Sequence, residues 1–253
     1  MERCLDRVDF GSALLLTDQP VSHSRIACIR IEALKNRRDY SEFVLRKLSR
    51  YIDLPNVLIV QWDSFVLDAS RWTGQFLEYD YIGAPWPQFE QNDVGNGGFS
   101  LRSKRLLDLT ASPEFQGGHP EDVAICRGSR VTLEGSGIRI APRELAKQFA
   151  FERGPQRASF GFHGLFNFPK VLSEGELDSC LKKLDTKLLS GRDGADLIVE
   201  LARRGQKALA WEMAKRRRAY DRGRISNLRF WKQFIDALIA RPRERSGLRQ
   251  AAS

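Results

Sequence analysis

The sequence has few of the residues that cross-link a chain or hold a structural metal. It contains 4 cysteines among 253 residues, and no two of them form a Cys-x-x-Cys pair. Its 3 histidines are also far apart. The sequence therefore predicts neither a disulfide framework nor a structural zinc site, and we expect reduced, mostly buried thiols.

Long hydrophobic runs are missing as well. The first ten residues, MERCLDRVDF, carry charges where a signal peptide needs an apolar segment, and no run reaches the ~18 apolar residues of a membrane span. These absences predict a cytoplasmic protein. With 42% hydrophobic and 10% aromatic residues, the composition is that of a globular chain that buries a substantial core.

Net charge is nearly absent from the first 200 residues and high after them. Residues 1–200 hold 26 Lys and Arg against 28 Asp and Glu, whereas residues 201–253 hold 15 against 4. The basic tail includes KRRR at residues 215–218. Such a tail could bind nucleic acid, an anionic lipid surface or an acidic partner, and a solvated helix face is the simpler alternative.

The hydrophobic pattern of the near-neutral part favours an α/β fold. Residues 12–18 predict a strand, residues 41–52 a helix capped by Ser41, and the continuous apolar residues 57–60 an interior strand of a mostly parallel sheet. The order strand, helix, strand is typical of α/β layer folds. Further helices are predicted over residues 103–110, after Pro120 and over 144–151, a further strand over 137–142, and a strand or an ordered loop over 158–164.

From residue 173 onward the pattern predicts only helices. Two apolar stripes have helical spacing: Leu177, Leu181, Leu184 and Leu188, and then Trp231, Phe234, Ile235, Leu238 and Ile239. We therefore place a domain boundary near residue 172. An α/β domain is expected over 1–172 and an all-helical basic extension over 173–253.

Three acidic residues lie where an α/β active site could use them. Asp63 follows the strand at 57–60, at the sheet edge where such folds bind ligands, and a carboxylate there can hold a cation that bridges phosphate oxygens. Glu121 and Asp122 open a predicted helix and point about 100° apart, so one of them could act as a general base. The alternatives are structural: a turn or cap residue at Asp63, and acids favoured by the helix dipole at the other two.

His163 lies in FGFHG, between aromatic residues and glycines. A histidine in such surroundings is most often a packed residue, although imidazole is also a common metal ligand. His163 therefore becomes informative only together with Asp63.

The stretch VGNGGFSLRS, residues 94–103, holds three glycines within four residues. It does not follow a buried strand, so it does not fit a dinucleotide fingerprint, and it lacks the lysine of a phosphate-binding loop. We expect a backbone that closely approaches a ligand or a strand, or that adopts positive φ; a tight turn is the alternative. Trp86 or Tyr81, in the preceding YIGAPW, could stack on a sugar or base, or belong to the core.

Five segments in order, QWDSFVLD, FLEYDYIGAPW, VGNGGFSLRS, HPEDV and FGFHG, resemble a bacterial and fungal family of glycosyltransferase-like domains catalogued as of unknown function. The resemblance spans roughly residues 12–168. GNGGFSLRS followed by EDV is also similar to the acceptor region of galactosyltransferases of the GT-A fold, an α/β nucleotide-sugar-binding architecture. The resemblance implies a GT-A-like mixed sheet flanked by helices.

The resemblance also implies a role for each candidate residue. Asp63 would stand in for the acidic metal-binding motif and His163 for the late histidine that completes the site, with Mn²⁺ or Mg²⁺ as the cofactor. Asp122 would match the general base of inverting members, and Glu121 is its neighbour. The donor and acceptor cleft would be lined by Gly97, Gly98, Phe99, Ser100 and Trp86.

Two features depart from the family pattern. The usual motif has two acids spaced Asp-x-Asp, whereas this chain has Gln61, Trp62 and Asp63, which puts metal dependence in question. GT-A domains also usually open with a strand whose following loop holds the nucleotide base, whereas MERCLDRVDF predicts a helix. The first strand is therefore expected to be missing, or the start codon to be set too late.

Together these expectations describe an inverting, metal-assisted glycosyltransferase that moves a sugar from a nucleotide-sugar donor to a hydroxyl of a glycan or another acceptor. The alternative is a non-catalytic carbohydrate- or nucleotide-binding relic of the same fold. Nucleic acid binding is disfavoured because the tail has no recognition motif. Residues 201–253 are instead expected to dock on an anionic membrane surface, at the inner membrane, or on a protein partner.

Overall fold

The structure is a computed structural model that describes residues 1–220 and 226–242. The chain divides into two compact units, Met1–His163 and Gly164–Ser253. The first unit is mixed α/β and the second is helical in its described part. The first unit ends earlier than the boundary expected near residue 172, because the turn Leu165–Asn167 packs with the helices of the second unit.

Strands of the first unit pair in three small sheets. The described residues form β1 (Leu14–Thr17), β2 (Ala27–Arg30), β3 (Asn56–Val60), β4 (Ser64–Val66), β5 (Tyr81–Gly83), β6 (Phe99–Ser103), β7 (Ala150–Phe151) and β8 (Gly161–His163). β1 and β2 are parallel. β6 lies between β3 and β5 and is antiparallel to both. β8 lies between β4, to which it is antiparallel, and β7, to which it is parallel.

The predicted strand at residues 57–60 is confirmed as β3, but the expected parallel surroundings are wrong. β3 is an outer strand, pairs antiparallel with β6, and is half-buried along its whole length. Val57 and Ile59 pack on a cluster that includes Phe43 and Leu48. A continuous apolar run reports that both faces of a strand are covered, but it does not report the direction of the neighbouring strand.

Predicted strands at 12–18 and 158–164 are confirmed as β1 and β8. The strand predicted over 137–142 is wrong, since Ile140 forms a single isolated bridge to Tyr81. Its apolar residues are instead buried in irregular backbone. Burial alone therefore produced the strand-like pattern.

Helices of the first unit are α1 (Glu2–Leu5), α2 (Arg37–Arg46), α3 (Lys104–Ala111), α4 (Glu121–Val123), α5 (Arg130–Gly135) and α6 (Arg143–Phe149). The predictions of α1, α3, α4 and α6 are confirmed. Ser41 as the cap of α2 is wrong, because the Asn36 side chain accepts hydrogen bonds from the backbone N–H groups of Arg38 and Asp39. Ser41 lies inside α2, and its hydroxyl is available for a tertiary contact.

An aromatic core supports the strands that carry the candidate site. Phe76, Phe99, Phe149 and Phe160 are fully buried, and their rings contact one another at centroid distances of 5.2–6.2 Å. An ideal Cβ on Gly161 would lie 2.2 Å from the Phe99 ring. The core therefore fixes the position of β8, whose last residue is His163.

The second unit contains α7 (Phe168–Val171), α8 (Glu174–Lys183), α9 (Thr186–Ser190), α10 (Arg192–Arg203), α11 (Lys207–Tyr220) and α12 (Ser226–Ile239). The all-helical prediction is confirmed for its described residues. Ser173 caps α8 in a capping box with Glu176. No helix in the described ranges has the length and apolar character needed to cross a bilayer.

The KRRR segment of α11 divides between the interior and the surface. Arg217 is buried and donates to the carbonyl oxygens of Leu189 and Gly191, while Arg216 donates to those of Leu181 and Leu184. Lys215 and Arg218, the other two residues of the segment, are exposed. A solvated helix face therefore describes half of this segment, and the other half ties α11 to the preceding helices.

Candidate functional site

In the loop between β5 and β6, the backbone of Gly97 and Gly98 contacts two polar clusters. One contains Glu121 and Asp122, and the other is centred on His163. An ideal Cβ on Gly97 would lie 2.2 Å from Oε1 of Glu121, and one on Gly98 would lie 2.1 Å from Nε2 of His163. A third glycine, Gly95, abuts the ring of Trp86 in the same way, at 1.9 Å. The glycines are therefore required by close contact with side chains of this protein.

Positive φ, which was one expectation for this stretch, occurs at Asn96 instead of the glycines. Asn96 has a φ of 62°, and asparagine is among the residues that tolerate this conformation best. The side-chain amide of Asn96 lies 3.1 Å from Nδ1 of His163. The turn thus places a polar side chain on one of the two clusters.

The first cluster contains the half-buried carboxylate of Asp122. Its Oδ2 accepts a hydrogen bond of 3.0 Å from the backbone N–H of Gly97, and its Oδ1 accepts one of 2.8 Å from Val123. Burial raises the pKa of Asp122, and the neighbouring charge of Glu121 raises it further. A fixed carboxylate with a raised pKa is suited to accept a proton.

Glu121 points the other way, as the helical offset predicted. Its Oε1 forms an ion pair of 3.2 Å with Arg102, and the exposed fractions of these two side chains are 6% and 0%. Its other carboxylate oxygen accepts a hydrogen bond from the hydroxyl of Ser41. Arg102 also donates to the hydroxyl of Ser100 at 3.1 Å and lies over the ring of Tyr81. These contacts give Glu121 a structural role beside Asp122, and its predicted part in catalysis stays a prediction.

The second cluster is centred on the imidazole of His163. Its Nε2 lies 3.4 Å from Oδ1 of Asp63 and 3.2 Å from Oε1 of Gln61, and its Nδ1 lies 3.3 Å from Oε1 of Glu152. Burial lowers the pKa of His163, but its hydrogen bonds to Asp63 and Glu152 outweigh burial and raise the pKa to about 10. The ring is therefore a cation held between two carboxylates at neutral pH.

Asp63 and His163 thus lie together, as the metal prediction requires, but they form a sparse donor set. Two ligands at ~2.1 Å from one octahedral ion are ~3 Å apart, close to the 3.4 Å between Asp63 Oδ1 and His163 Nε2. Over residues 1–220 and 226–242, no group of three or more His, Cys, Asp or Glu residues is arranged to hold an ion. This pair fits a divalent cation that takes its remaining oxygens from substrate phosphates and water, and not a permanently bound structural ion.

Predicted donor- and acceptor-binding residues lie mainly in the interior. Phe99 and Ser100 are fully buried and Trp86 is 6% exposed. The Phe99 ring belongs to the aromatic core, and Ser100 bridges Arg102 to the carbonyl oxygen of Gly97. Packing accounts for these residues, and their contact with a ligand stays a prediction.

Sequence reasoning missed Glu152 and undervalued Gln61. In the parallel pair of β7 and β8, Phe151 lies opposite Phe162, so the next residues, Glu152 and His163, come side by side. No local pattern could indicate this pairing. Gln61 was noted only as a departure from the two-acid motif, yet it supplies an uncharged oxygen to the same ring nitrogen as Asp63.

One comparison with known proteins finds a match, and it covers the residues of both clusters. Residues 23–163 match the model of a family described as a protein of unknown function, DUF5672. The matched range includes every residue of both clusters described above. Neither the curated proteins nor the solved structures provide a significant match.

Proposed function

The chain belongs to the family of unknown function DUF5672, whose match spans more than half its length and ends on His163, and from that premise we propose that the two clusters form the active centre of a glycosyltransferase. The enzyme would transfer a sugar from a nucleotide-sugar donor to a hydroxyl of a glycan or another acceptor. Its mixed α/β first unit would be a variant of the GT-A architecture, with Asp122 as the base.

The observation that carries this proposal is that the Asp122 carboxylate and the Asp63–His163 pair contact two consecutive residues, Gly97 and Gly98. Asp122 is held by the N–H of Gly97, and His163, the partner of Asp63, touches Gly98. A sugar transferase needs a base for the acceptor and, near it, a group that offsets the charge of the departing diphosphate. The two clusters supply these two chemical functions beside neighbouring residues of one loop.

The transfer step uses the carboxylate of Asp122 to remove the acceptor proton. The acceptor oxygen forms a bond to the anomeric carbon while the bond from that carbon to the diphosphate oxygen breaks, and the diphosphate leaves with the electron pair. The proton passes to Asp122. Attack opposite the leaving group inverts the anomeric centre, and the base contributes roughly 10²–10⁴-fold to the rate.

A divalent cation, when bound, would add charge compensation for the diphosphate. Asp63, with the oxygen of Gln61 and the imidazole of His163, would hold it. Because the ring of His163 is protonated at neutral pH, it must lose a proton before it can bind a metal. Mn²⁺ or Mg²⁺ binding should therefore release a proton, which calorimetry in buffers of different ionisation enthalpy measures directly.

The proposal is tested by measuring donor hydrolysis and transfer with a panel of nucleotide sugars. We expect turnover with at least one donor, a rate at least about 100-fold lower for Asp122→Asn, and an unchanged rate for the control Asp53→Asn, whose side chain is exposed. Full activity of Asp122→Asn would exclude it as the base. Nucleotide binding without turnover on any donor would favour the non-catalytic relic.

The second unit has a surface that supports docking on an anionic membrane. Leu228, Ile235 and Ile239 lie at helical spacing on α12 and are 74%, 48% and 80% exposed. Arg229 and Lys232 are exposed on the same helix. An apolar stripe flanked by cations is the pattern of helices that lie in a membrane interface. We propose that α12 binds anionic lipid, and not nucleic acid or a protein partner.

A further inference from the structure

A cleft beside the His163 cluster has four cations among its lining residues. It has a volume of about 120 Å³, and its described lining includes Arg143, Lys147, Arg153 and Arg157, with Glu152 as the one carboxylate. Acids outside the lining offset part of this charge, since Arg143 pairs with Asp93 and Lys147 with Glu144. Four cations to one carboxylate along the wall nevertheless favour an anionic ligand.

The cations of the cleft come from one helix and one connecting segment. Arg143 and Lys147 are four residues apart on α6, so they project from one face of that helix. Arg153 and Arg157 come from the segment between β7 and β8 and are half-buried, which reduces the screening of their charges by water. Three prolines, at positions 85, 87 and 155, also line the cleft and restrict its backbone.

Glu152 joins this cleft to the proposed active centre. It lines the cleft, and its Oε1 lies 3.3 Å from Nδ1 of His163. This contact turns the Glu152 carboxylate towards the His163 ring, so the four cations of the lining dominate the charge that an anion meets. Only the side chain of Glu152 would then lie between a ligand phosphate in the cleft and His163 with its partner Asp63.

We propose that this cleft binds the diphosphate of the donor, an inference that rests on the proposed function. Arginine presents two parallel N–H donors to phosphate oxygens, and such charge-assisted bonds are stronger than neutral ones. In the family motif, a second acid helps to bind the metal ion, and this chain has Gln61 at that position. The positive charge that the metal would bring is supplied here by the four cations of the cleft, Arg143, Lys147, Arg153 and Arg157. Diphosphate binding is therefore expected without a divalent cation.

The test is calorimetry on the full chain in EDTA with three probes: inorganic pyrophosphate, a nucleoside diphosphate (UDP, then GDP) and uridine. We expect pyrophosphate and at least one nucleoside diphosphate to bind, with affinity that falls as salt rises, and uridine to bind far more weakly. Arg153→Gln with Arg157→Gln should weaken pyrophosphate binding roughly tenfold or more. Arg153→Lys with Arg157→Lys keeps the charges but loses the paired N–H donors, so its affinity should fall between those of the wild type and the glutamine variant.

A charge-matched control is Arg37→Gln with Arg38→Gln, two exposed residues at the start of α2. It should bind pyrophosphate like the wild-type protein. Equal binding by the Arg153 and Arg157 glutamine variant, or binding only when Mg²⁺ is added, would overturn the cleft assignment even if the enzyme transfers sugar. The expected binding without turnover on any donor would support the cleft and refute the transfer reaction.

Discussion

Replacing Gly98 with alanine should destabilise the first unit although it adds only one methyl group. The backbone at Gly98 is not in the left-handed region, so alanine can adopt its conformation. The added Cβ would, however, lie 2.1 Å from Nε2 of His163, whereas ordinary contacts begin at 3.4 Å. The ring must therefore move by more than 1 Å, which disturbs the contacts of its Nε2 with Asp63 and Gln61.

The size of the effect follows from two contributions. Overpacking of a buried position costs about 1–3 kcal/mol, and a weakened hydrogen bond to a charged group costs about 1.5–3 kcal/mol. We therefore expect a loss of about 3 kcal/mol in the free energy of unfolding. For a protein of this size that loss corresponds to a fall in Tm of roughly 6–12 °C.

Urea unfolding and calorimetry measure this loss against Gly74→Ala, a matched control with nothing within 4 Å of its added Cβ. The control should change stability by less than about 1 kcal/mol. If Gly98→Ala unfolds at the same urea concentration as the control, the contact between the loop and His163 does not exist in solution. The same comparison applies to activity, since a displaced His163 should also impair donor binding.

Three further results are expected. A pKa of Asp122 raised by folding means that the ionised carboxylate opposes folding, so the free energy of unfolding of the wild type should rise relative to that of Asp122→Asn as the pH falls from neutral towards 3.8, the ordinary pKa; a difference in urea unfolding that does not vary with pH would contradict the raised pKa. The pH dependence is the readout because asparagine also loses one of the two oxygens that accept backbone N–H groups. Arg102→Met should lower the free energy of unfolding by about 3–5 kcal/mol, because it leaves the buried carboxylate of Glu121 without its cation. Adding Glu121→Gln should restore part of that stability; if the effects of the two substitutions simply add, the two charges do not interact. Ile235→Glu should weaken the affinity for phosphatidylserine vesicles, measured by co-sedimentation, by about tenfold or more. The control Val131→Glu, at a position 83% exposed on α5, should leave that affinity unchanged. Equal binding by the two variants would refute docking through α12.

Local signals predicted most of the elements that carry the site. The helix predicted over residues 103–110 is α3, which Ser103 caps, and Pro120 precedes the short helix that presents Glu121 and Asp122, as the sequence predicted. The offset between those two acids also held, with Glu121 inward and Asp122 half-buried. These features depend on residues within one helical turn, which is the range over which sequence patterns are informative.

Contacts between distant segments could not be predicted in the same way. Arg102 is a single basic residue in a strand, and nothing near it indicates that Glu121 and Ser100 surround it. Glu152 reaches His163 only because β7 and β8 pair in one particular register. The glycines were attributed to a ligand or a strand, whereas the groups that require them are side chains of this protein: Trp86 before the glycines, and Glu121 and His163 after them.

The inward arginines of α11 affect how any charge-substitution experiment on this chain should be interpreted. Arg216 and Arg217 satisfy carbonyl oxygens of Leu181, Leu184, Leu189 and Gly191, so neutralising them removes internal hydrogen bonds. If all four residues of KRRR are replaced together, a loss of binding could come from local unfolding or from the loss of surface charge, and the measurement would not separate the two causes. Lys215 and Arg218 can be neutralised with the helix intact, and only their substitution measures what the outside of this helix attracts.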